Sequence, residues 1–178
     1  TNIDKIIVAT STNDEDDSID EFCISNNIQV FRGDLNDVLD RFYKVSIQYN
    51  PDHVVRLTGD CPLTDPSIID KLIDVHIVGG FDYTSNTLNP TYPDGLDVEV
   101  MKFSVWKHSK LKSEREHVKP YIKNSGKFTL HNVESENNYA HLRWTVDEQE
   151  DLSLIREIFN ELLPKSPNFT SEEIINLF

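Results

Sequence analysis

The sequence predicts an α/β fold: a mostly parallel sheet flanked by helices, with a mixed β/α insertion in the middle. Three observations carry that reading. Up to about residue 78, short β-branched and apolar runs alternate with longer stretches whose apolar residues recur near helical spacing, in the order β-α-β-α-β-α. Val54, Val55 and Leu57 form one such run; it breaks at Gly59, and Asp65-Pro66 then supplies the cap and first residue of a helix. Over residues 79–138 the alternation lapses, and Leu96-Asp97-Val98-Glu99-Val100 alternates apolar with acidic residues, as a strand with two unlike faces does.

In order, the chain opens on a strand, Lys5-Ile6-Ile7-Val8-Ala9-Thr10. A polar loop over residues 11–17 follows, where Asp14 or Asp16 is placed to cap a helix carrying Ile19, Phe22, Cys23 and Ile24. Residues 28–31 read as a second strand and Arg32-Gly33-Asp34 as a turn. Leu35, Val38, Leu39, Phe42, Val45 and Ile47 then mark the apolar side of a helix. The Val54 strand is third, and its helix runs through Ile68, Ile69, Leu72 and Ile73. Residues 81–85 predict a strand, residues 86–95 a loop with Pro90 and Pro93, and residues 104–110 and 113–124 two short helices. Strands are expected again at residues 127–133 and 141–145. Asp147 opens a long helix through Leu152, Leu154, Ile155, Ile158, Phe159 and Leu162, with Glu148 and Glu150 in an acidic first turn that suits the helix dipole. Thr170-Ser171-Glu172-Glu173 is a capping box for a last short helix. No repeat, low-complexity tract or linker divides the chain, so residues 1–178 read as one domain with residues 79–138 inserted.

Composition narrows the class. With 178 residues, 38% hydrophobic and 27% charged, the chain fits a globular protein with a sizeable core and not a disordered one. No apolar run approaches the length of a transmembrane helix and no secretory signal opens the sequence, so no membrane insertion is expected. Cys23 and Cys61 lie far apart among apolar neighbours and read as reduced core residues in a cytoplasmic setting. The net charge of −14 argues against a surface that grips nucleic acid by its phosphates. A nucleotide would need a local basic loop or a metal ion.

Asp60 stands just past the carboxyl end of the Val54 strand, where ligands of open parallel sheets bind. Taken by itself it serves equally well as the acid that caps a turn after Gly59. Arg56 sits inside the strand, where a lone charge is costly, so it calls for a partner carboxylate or an anionic substrate. Asp97 and Glu99 share one face of their strand and are placed to pair with Arg115 and Arg143. Asp147 reads also as an ordinary helix cap, Arg41 as a solvated helix residue, His117 as a structural helix histidine and Trp144 as core.

Four motifs occur in one order: residues 54–62 with Gly59-Asp60-Cys61-Pro62, residues 94–100 with Asp94-Gly95-Leu96-Asp97, Glu114-Arg115-Glu116-His117-Val118, and Leu142-Arg143-Trp144-Thr145-Val146-Asp147. Together, and over nearly the whole chain, they resemble the spore coat polysaccharide biosynthesis protein F family. That family is related to the cytidylyltransferases that activate 3-deoxy-manno-octulosonate and sialic acid as CMP-sugars. The resemblance implies a Rossmann-like sheet of the nucleotidyltransferase and GT-A kind. It implies attack of a sugar oxygen on the α-phosphorus of CTP, with Mg²⁺ held by Asp60 and Asp147, the two catalytic acids. It further implies nucleotide contacts at Arg32, Gly33, Arg41, Thr58 and Gly59, and substrate contacts at Arg56, Asp97, Glu99, Arg115 and His117. A homodimer with the segment of residues 79–138 at its contact is implied as well.

One departure stands out. Family members begin with a strand and a basic loop of the type R-x-x-S-x-R-L-P-G-K, which wraps the triphosphate. No such segment occurs here, and the first ten residues hold one cation, Lys5. The expectation is a chain truncated at its amino terminus and inactive by itself. Two other readings stand beside the favoured one. A metal-dependent glycosyltransferase of the GT-A type would carry an acid pair at the strand end, where this sequence has Asp60 alone. A non-catalytic binding module would keep the fold without the phosphate loop.

Overall fold

The computed structural model describes residues 3–106 and 122–177. The chain divides into two compact units, one drawing on residues 2–54 and 101–129, the other on residues 55–100 and 130–178. Residues Arg115 and His117, most of the Glu114-to-Val118 motif's helix, and the helix expected at residues 104–110 beyond Trp106 lie outside the described residues.

In the first unit, strand β1 (Ile7–Ser11) pairs in parallel with β2 (Gln29–Gly33), from Ile7 opposite Gln29 to Ser11 opposite Gly33. Helix α1 (Asp17–Ser25) crosses between them, as a parallel pair requires. The apolar residues expected to face a core from α1 do not all do so. Cys23 is buried, whereas Ile19 and Ile24 are exposed and Phe22 is 63% exposed. Asp16 stands at the N-cap position but does not cap; its carboxylate turns back to accept from Thr10 Oγ1 at 2.7 Å and Ser11 N at 2.9 Å. Helix α2 (Val38–Tyr49) is capped by Asp37, which accepts from Asp40 N at 3.0 Å. Leu35, expected on the helix, precedes it and is exposed, because Asp34 folds residues 34–37 into a turn by accepting from Asn36 N and Asp37 N.

The second sheet has four strands in the order β3 (His53–Arg56), β5 (Glu99–Lys102), β4 (Tyr83–Ser85), β6 (Leu130–Asn132), and the division between units falls within β3 and β5. β4 and β6 are parallel, Tyr83 opposite Leu130. Helix α3 (Pro66–Gly79) starts as expected, with Asp65 accepting from Ser67 N and Pro66 in the first turn, and ends on Gly80 in the left-handed region. A short helix, α4 (Phe103–Trp106), follows β5, residues 122–124 are helical, and α5 (Gln149–Leu162) and α6 (Ser171–Ile175) close the fold. Leu72, Tyr83, Leu96, Val98, Ile158 and Ile174 form the centre of the second unit's core, each at 1% exposure or less, and Trp144 joins them at 3%.

Three expectations change. The strand predicted from Leu96 begins at Glu99, because the buried Asn86 side chain holds the preceding backbone: it donates to Leu96 O at 2.7 Å and accepts from Val98 N at 2.9 Å. The strand predicted at residues 141–145 reduces to a bridge between Arg143 and Asp94. Asp147 is not the cap of the long helix. Glu148 takes that position, and Asp151 reaches back to accept from Glu148 N at 2.9 Å. The Thr170 capping box forms as predicted. Cys23 and Cys61 are buried and free. Among the described residues no helix is long and apolar enough to cross a membrane.

The Asp16 carboxyl is lowered from 3.8 to about 2 by hydrogen bonds from the Ser11 and Thr10 side chains and the Ser11 main chain. A depressed carboxyl contributes stability that is fully present above its unfolded value and is lost as pH falls through its folded one. The stability difference between the parent chain and Asp16→Asn is therefore expected to be constant above about pH 4.5 and to vanish towards pH 2. Denaturant titrations at a series of pH values measure it; a difference independent of pH would refute the assignment.

Candidate active site

Three of the four motifs meet through their main chains. The Asp60 carbonyl accepts from Val146 N at 2.8 Å and from Thr145 Oγ1 at 3.3 Å. Asp94 brackets Arg143 from the other side: Asp94 N donates to Leu142 O at 3.0 Å, and Trp144 N donates to Asp94 O at 2.6 Å. Gly95 completes the approach. Its φ is +108°, and a Cβ there would lie 2.5 Å from the Trp144 carbonyl carbon, so only glycine lets the two backbones close up. Within its own loop, Asp60 is set by a turn in which Cys61 N donates to Thr58 O at 3.2 Å and Thr64 Oγ1 donates to Cys61 O at 2.7 Å.

The carboxylates are left available by this arrangement. Asp60 is exposed, and the contact its side chain makes is a long one, 3.7 Å from the Cys61 thiol. Burial pushes that thiol up, with the charge of Asp60 adding to the effect, which disfavours the thiolate. Asp147, also exposed, accepts from Arg143 Nη2 on Oδ2 at 2.9 Å, and its Oδ1 has no hydrogen-bond partner among the described residues. The same Arg143 nitrogen donates to Asp151 Oδ2 at 2.8 Å, an oxygen that also accepts from Asp147 N at 3.0 Å. The backbone bonds from Asp147 and Glu148, then Arg143, hold the Asp151 carboxyl below its ordinary range. Asp151 thus sets the position of Asp147. Sequence reading passed over Asp151, although its place three residues after Glu148 is the spacing of a capping box.

Asp60 and the residue before Asp147 are joined by a main-chain bond, and carboxylate oxygens of this kind are the donors a Mg²⁺ ion takes. Such an ion takes one or two carboxylates, fills its shell with water and phosphate oxygens, and rarely has an all-protein cage. Among the described residues no group of three or more His, Cys, Asp or Glu converges as a ligand set.

Other predicted contacts are committed elsewhere. Arg56 finds its partner in Glu99, at 2.8 Å, and Glu99 also accepts from Tyr83 Oη at 3.0 Å. Glu99 is 2% exposed, and burial, with the Glu99 charge adding to it, holds the Tyr83 phenol well above its ordinary value. Asp97 is half-buried between Leu96 and Val98. Thr58 Oγ1 lies 3.2 Å from Cys61 Sγ, and a Cβ on Gly59 would meet nothing within 4 Å.

Arg32, Gly33 and Arg41 belong to the first unit. Arg32 braces the loop after β1, donating to Ser11 O and Asn13 O at 2.8 Å each and pairing with Asp17 at 2.7 Å. Its guanidinium is thus engaged by two carbonyls and a carboxylate of its own unit. Gly33 makes room for Arg41, whose Cγ would lie 2.7 Å from a Cβ at that position. Arg41 is half-buried, and its Nε has no hydrogen-bond partner among the described residues.

Residues 1–174 match the family described as Cytidylyltransferase. The chain belongs to that family. It is 42% identical over 163 residues to an uncharacterized protein of Methanocaldococcus jannaschii, a match covering 88% of this chain and 66% of the relative. It is 32% identical over 182 residues to the spore coat polysaccharide biosynthesis protein SpsF of Bacillus subtilis, covering 98% of this chain and 74% of that protein. Among solved structures, a cytidylyltransferase from Leptospira borgpetersenii superposes with a TM-score of 0.89 at 31% identity, covering 96% of this chain and 74% of the other. The chain therefore spans about two thirds to three quarters of the length of these relatives. The α/β fold with parallel strands flanked by helices, expected from the sequence, is the fold of this family.

Gly95→Ala forces a side chain into main chain at a strained φ, and is expected to cost about 1–3 kcal/mol in chemical denaturation. Glu99→Gln removes the charge opposite Arg56 and is expected to cost about 3–5 kcal/mol, most of it recovered in the double variant Arg56→Met, Glu99→Leu. A Glu99→Gln protein of parental stability would show that the pair is not what holds this end of the sheet.

Proposed function

We propose that this chain carries the catalytic acids of a Mg²⁺-dependent cytidylyltransferase, which joins the cytidylyl group of CTP to a sugar or sugar acid. The product would be a CMP-sugar for surface polysaccharide synthesis, with pyrophosphate released. Membership of the family supports nucleotidyl transfer, and the likeness to a spore coat polysaccharide protein supports a saccharide acceptor. The observation that carries the reading is the bond from Val146 N to Asp60 O, 2.8 Å long, which puts Asp60 beside the residue that precedes Asp147.

In this reading Asp60 and Asp147 hold the Mg²⁺, which when bound neutralises phosphate charge during transfer. The chain's own residues do the positioning. The Asp60 carbonyl is held by Val146 and Thr145, so its carboxylate projects from a fixed point of backbone. Arg143 takes one oxygen of Asp147 and directs the other, and Asp151 keeps Arg143 from swinging into the site. Gly59 leaves the surface next to Asp60 open to a nucleotide. The reaction forms an O–P bond at the α-phosphorus and breaks the bridge to pyrophosphate, so it depends on placement and charge neutralisation and not on a covalent enzyme intermediate. A homodimer with residues 79–138 at its contact belongs to the same proposal.

Asp60→Asn and Asp147→Asn remove charge with almost no change of shape. Each is expected to lower pyrophosphate release from CTP by about 10²-fold or more in the full-length protein, the scale lost when one charge-stabilising group is removed, with thermal unfolding unchanged. Near-parental turnover in either variant would sink the mechanism.

A further inference from the structure

Between α3 and α6, in the same unit as Asp60, lies an open cavity of about 310 Å³ lined by neither Asp60 nor Asp147. Its walls are held by bonds that leave much of its lining chemistry unused. Lys71 Nζ donates to Tyr92 Oη at 3.1 Å and to Glu134 O at 3.3 Å, tying one wall together. Thr91 holds the opposite wall at two points, its hydroxyl accepting from Ser135 N and its carbonyl from Tyr139 N, both at 2.8 Å. The buried Asp65 accepts from Ser171 N at 2.8 Å and Ser171 Oγ at 2.7 Å while it caps α3, so the start of α6 is anchored at the rim. Burial pushes the Asp65 carboxyl up, but the bonds from Ser67 and Ser171 outweigh it and keep it below its ordinary value. A concavity of this size, held at these points, has room for one small ligand.

The lining narrows the ligand. Tyr92 and Tyr139 present rings, and the side chains of Glu136, Asn137, Tyr139 and Glu172 make no hydrogen bond among the described residues. One ammonium, from Lys71, stands against two carboxylates, so the cavity does not favour a phosphate or a sugar acid. A sugar ring matches what remains, with an apolar C–H face for an aromatic ring and hydroxyls for carboxylate and amide groups. We propose that this cavity binds an uncharged, hydroxyl-rich saccharide ring, packed on Tyr139 and held through its hydroxyls by Glu136, Asn137 and Glu172. The site is additional to cytidylyl transfer and does not rest on it.

Saturation-transfer NMR on the full chain tests this with methyl glycosides of glucose, galactose, mannose and N-acetylglucosamine, and with N-acetylneuraminic acid as the charged comparison. Transfer to the ring C–H protons of at least one neutral glycoside is expected, stronger than to the acid. Binding should weaken by about tenfold or more in Tyr139→Ala and in Glu172→Gln, the latter at an exposed position that leaves the fold intact. Asp60→Asn should bind the glycoside as the parent does, whatever it does to pyrophosphate release, so the two sites succeed or fail separately. No transfer to any neutral glycoside would overturn the proposal, as would binding that survives both cavity substitutions or disappears in Asp60→Asn.

Discussion

The site depends on a main-chain contact, the close passage of residues 142–146 between Asp94-Gly95 on one side and Asp60 on the other. Each of these segments is irregular, and irregular backbone that is buried must still satisfy its polar groups. Here the segments satisfy one another. The Asp60 carbonyl receives two donors, and Asp94 and residues 142–144 exchange two bonds. Gly95 permits the approach because a methyl group in its place would overlap the Trp144 main chain. Since the backbone carries this load, among the described residues the Asp60 side chain makes only its long thiol contact and Asp147 keeps one oxygen without a hydrogen bond.

The acidic balance of the chain acts in the same direction. The net charge is −14, and three of the arginines named above are bound to protein acceptors. Arg32 is filled by two carbonyls and a carboxylate, Arg56 is paired with the buried Glu99, and Arg143 is shared by Asp147 and Asp151. Arginine suits such positions because its planar fork serves several acceptors at once. The guanidinium groups therefore order loops and orient carboxylates, and the proposed Mg²⁺ has a defined part in meeting the charge of a nucleotide.

Asp65 shows how one carboxylate can organise two helices. From the sequence it is the cap of α3, and it does cap α3 by accepting from Ser67. Its second oxygen reaches Ser171, 106 residues away, and so anchors α6 beside α3. The cavity with Tyr92 and Tyr139 in its lining exists because those two helix starts are held together there.

Much of this was legible in the residues. The alternation of short apolar runs with helical periodicity determined the α/β class and the places of β1, β2, β3 and α3. Asp65-Pro66 and the Thr170 capping box were read correctly because a proline at the first helical position and a Thr-x-x-Glu spacing are local signals, whereas Asp16 and Asp147, equally local, do not cap their helices. Ordered motifs such as Gly59-Asp60-Cys61-Pro62 pointed to the family and to Asp60 and Asp147 as candidate acids. The tertiary structure decided what depends on distant partners. Residues 141–145 have the composition of a strand, yet only Arg143 bridges to a neighbour, because the adjoining backbone at Asp94 and Asp60 is irregular. Leu96 to Val98 are extended but held by the Asn86 side chain. Arg56 called for a partner carboxylate or an anionic substrate, and that Glu99 is its partner turned on a contact across 43 residues. Caps and periodicity are set by neighbouring residues along the chain, whereas the partner of a buried charge or an irregular backbone is chosen by loop closure and packing, which leave no local pattern.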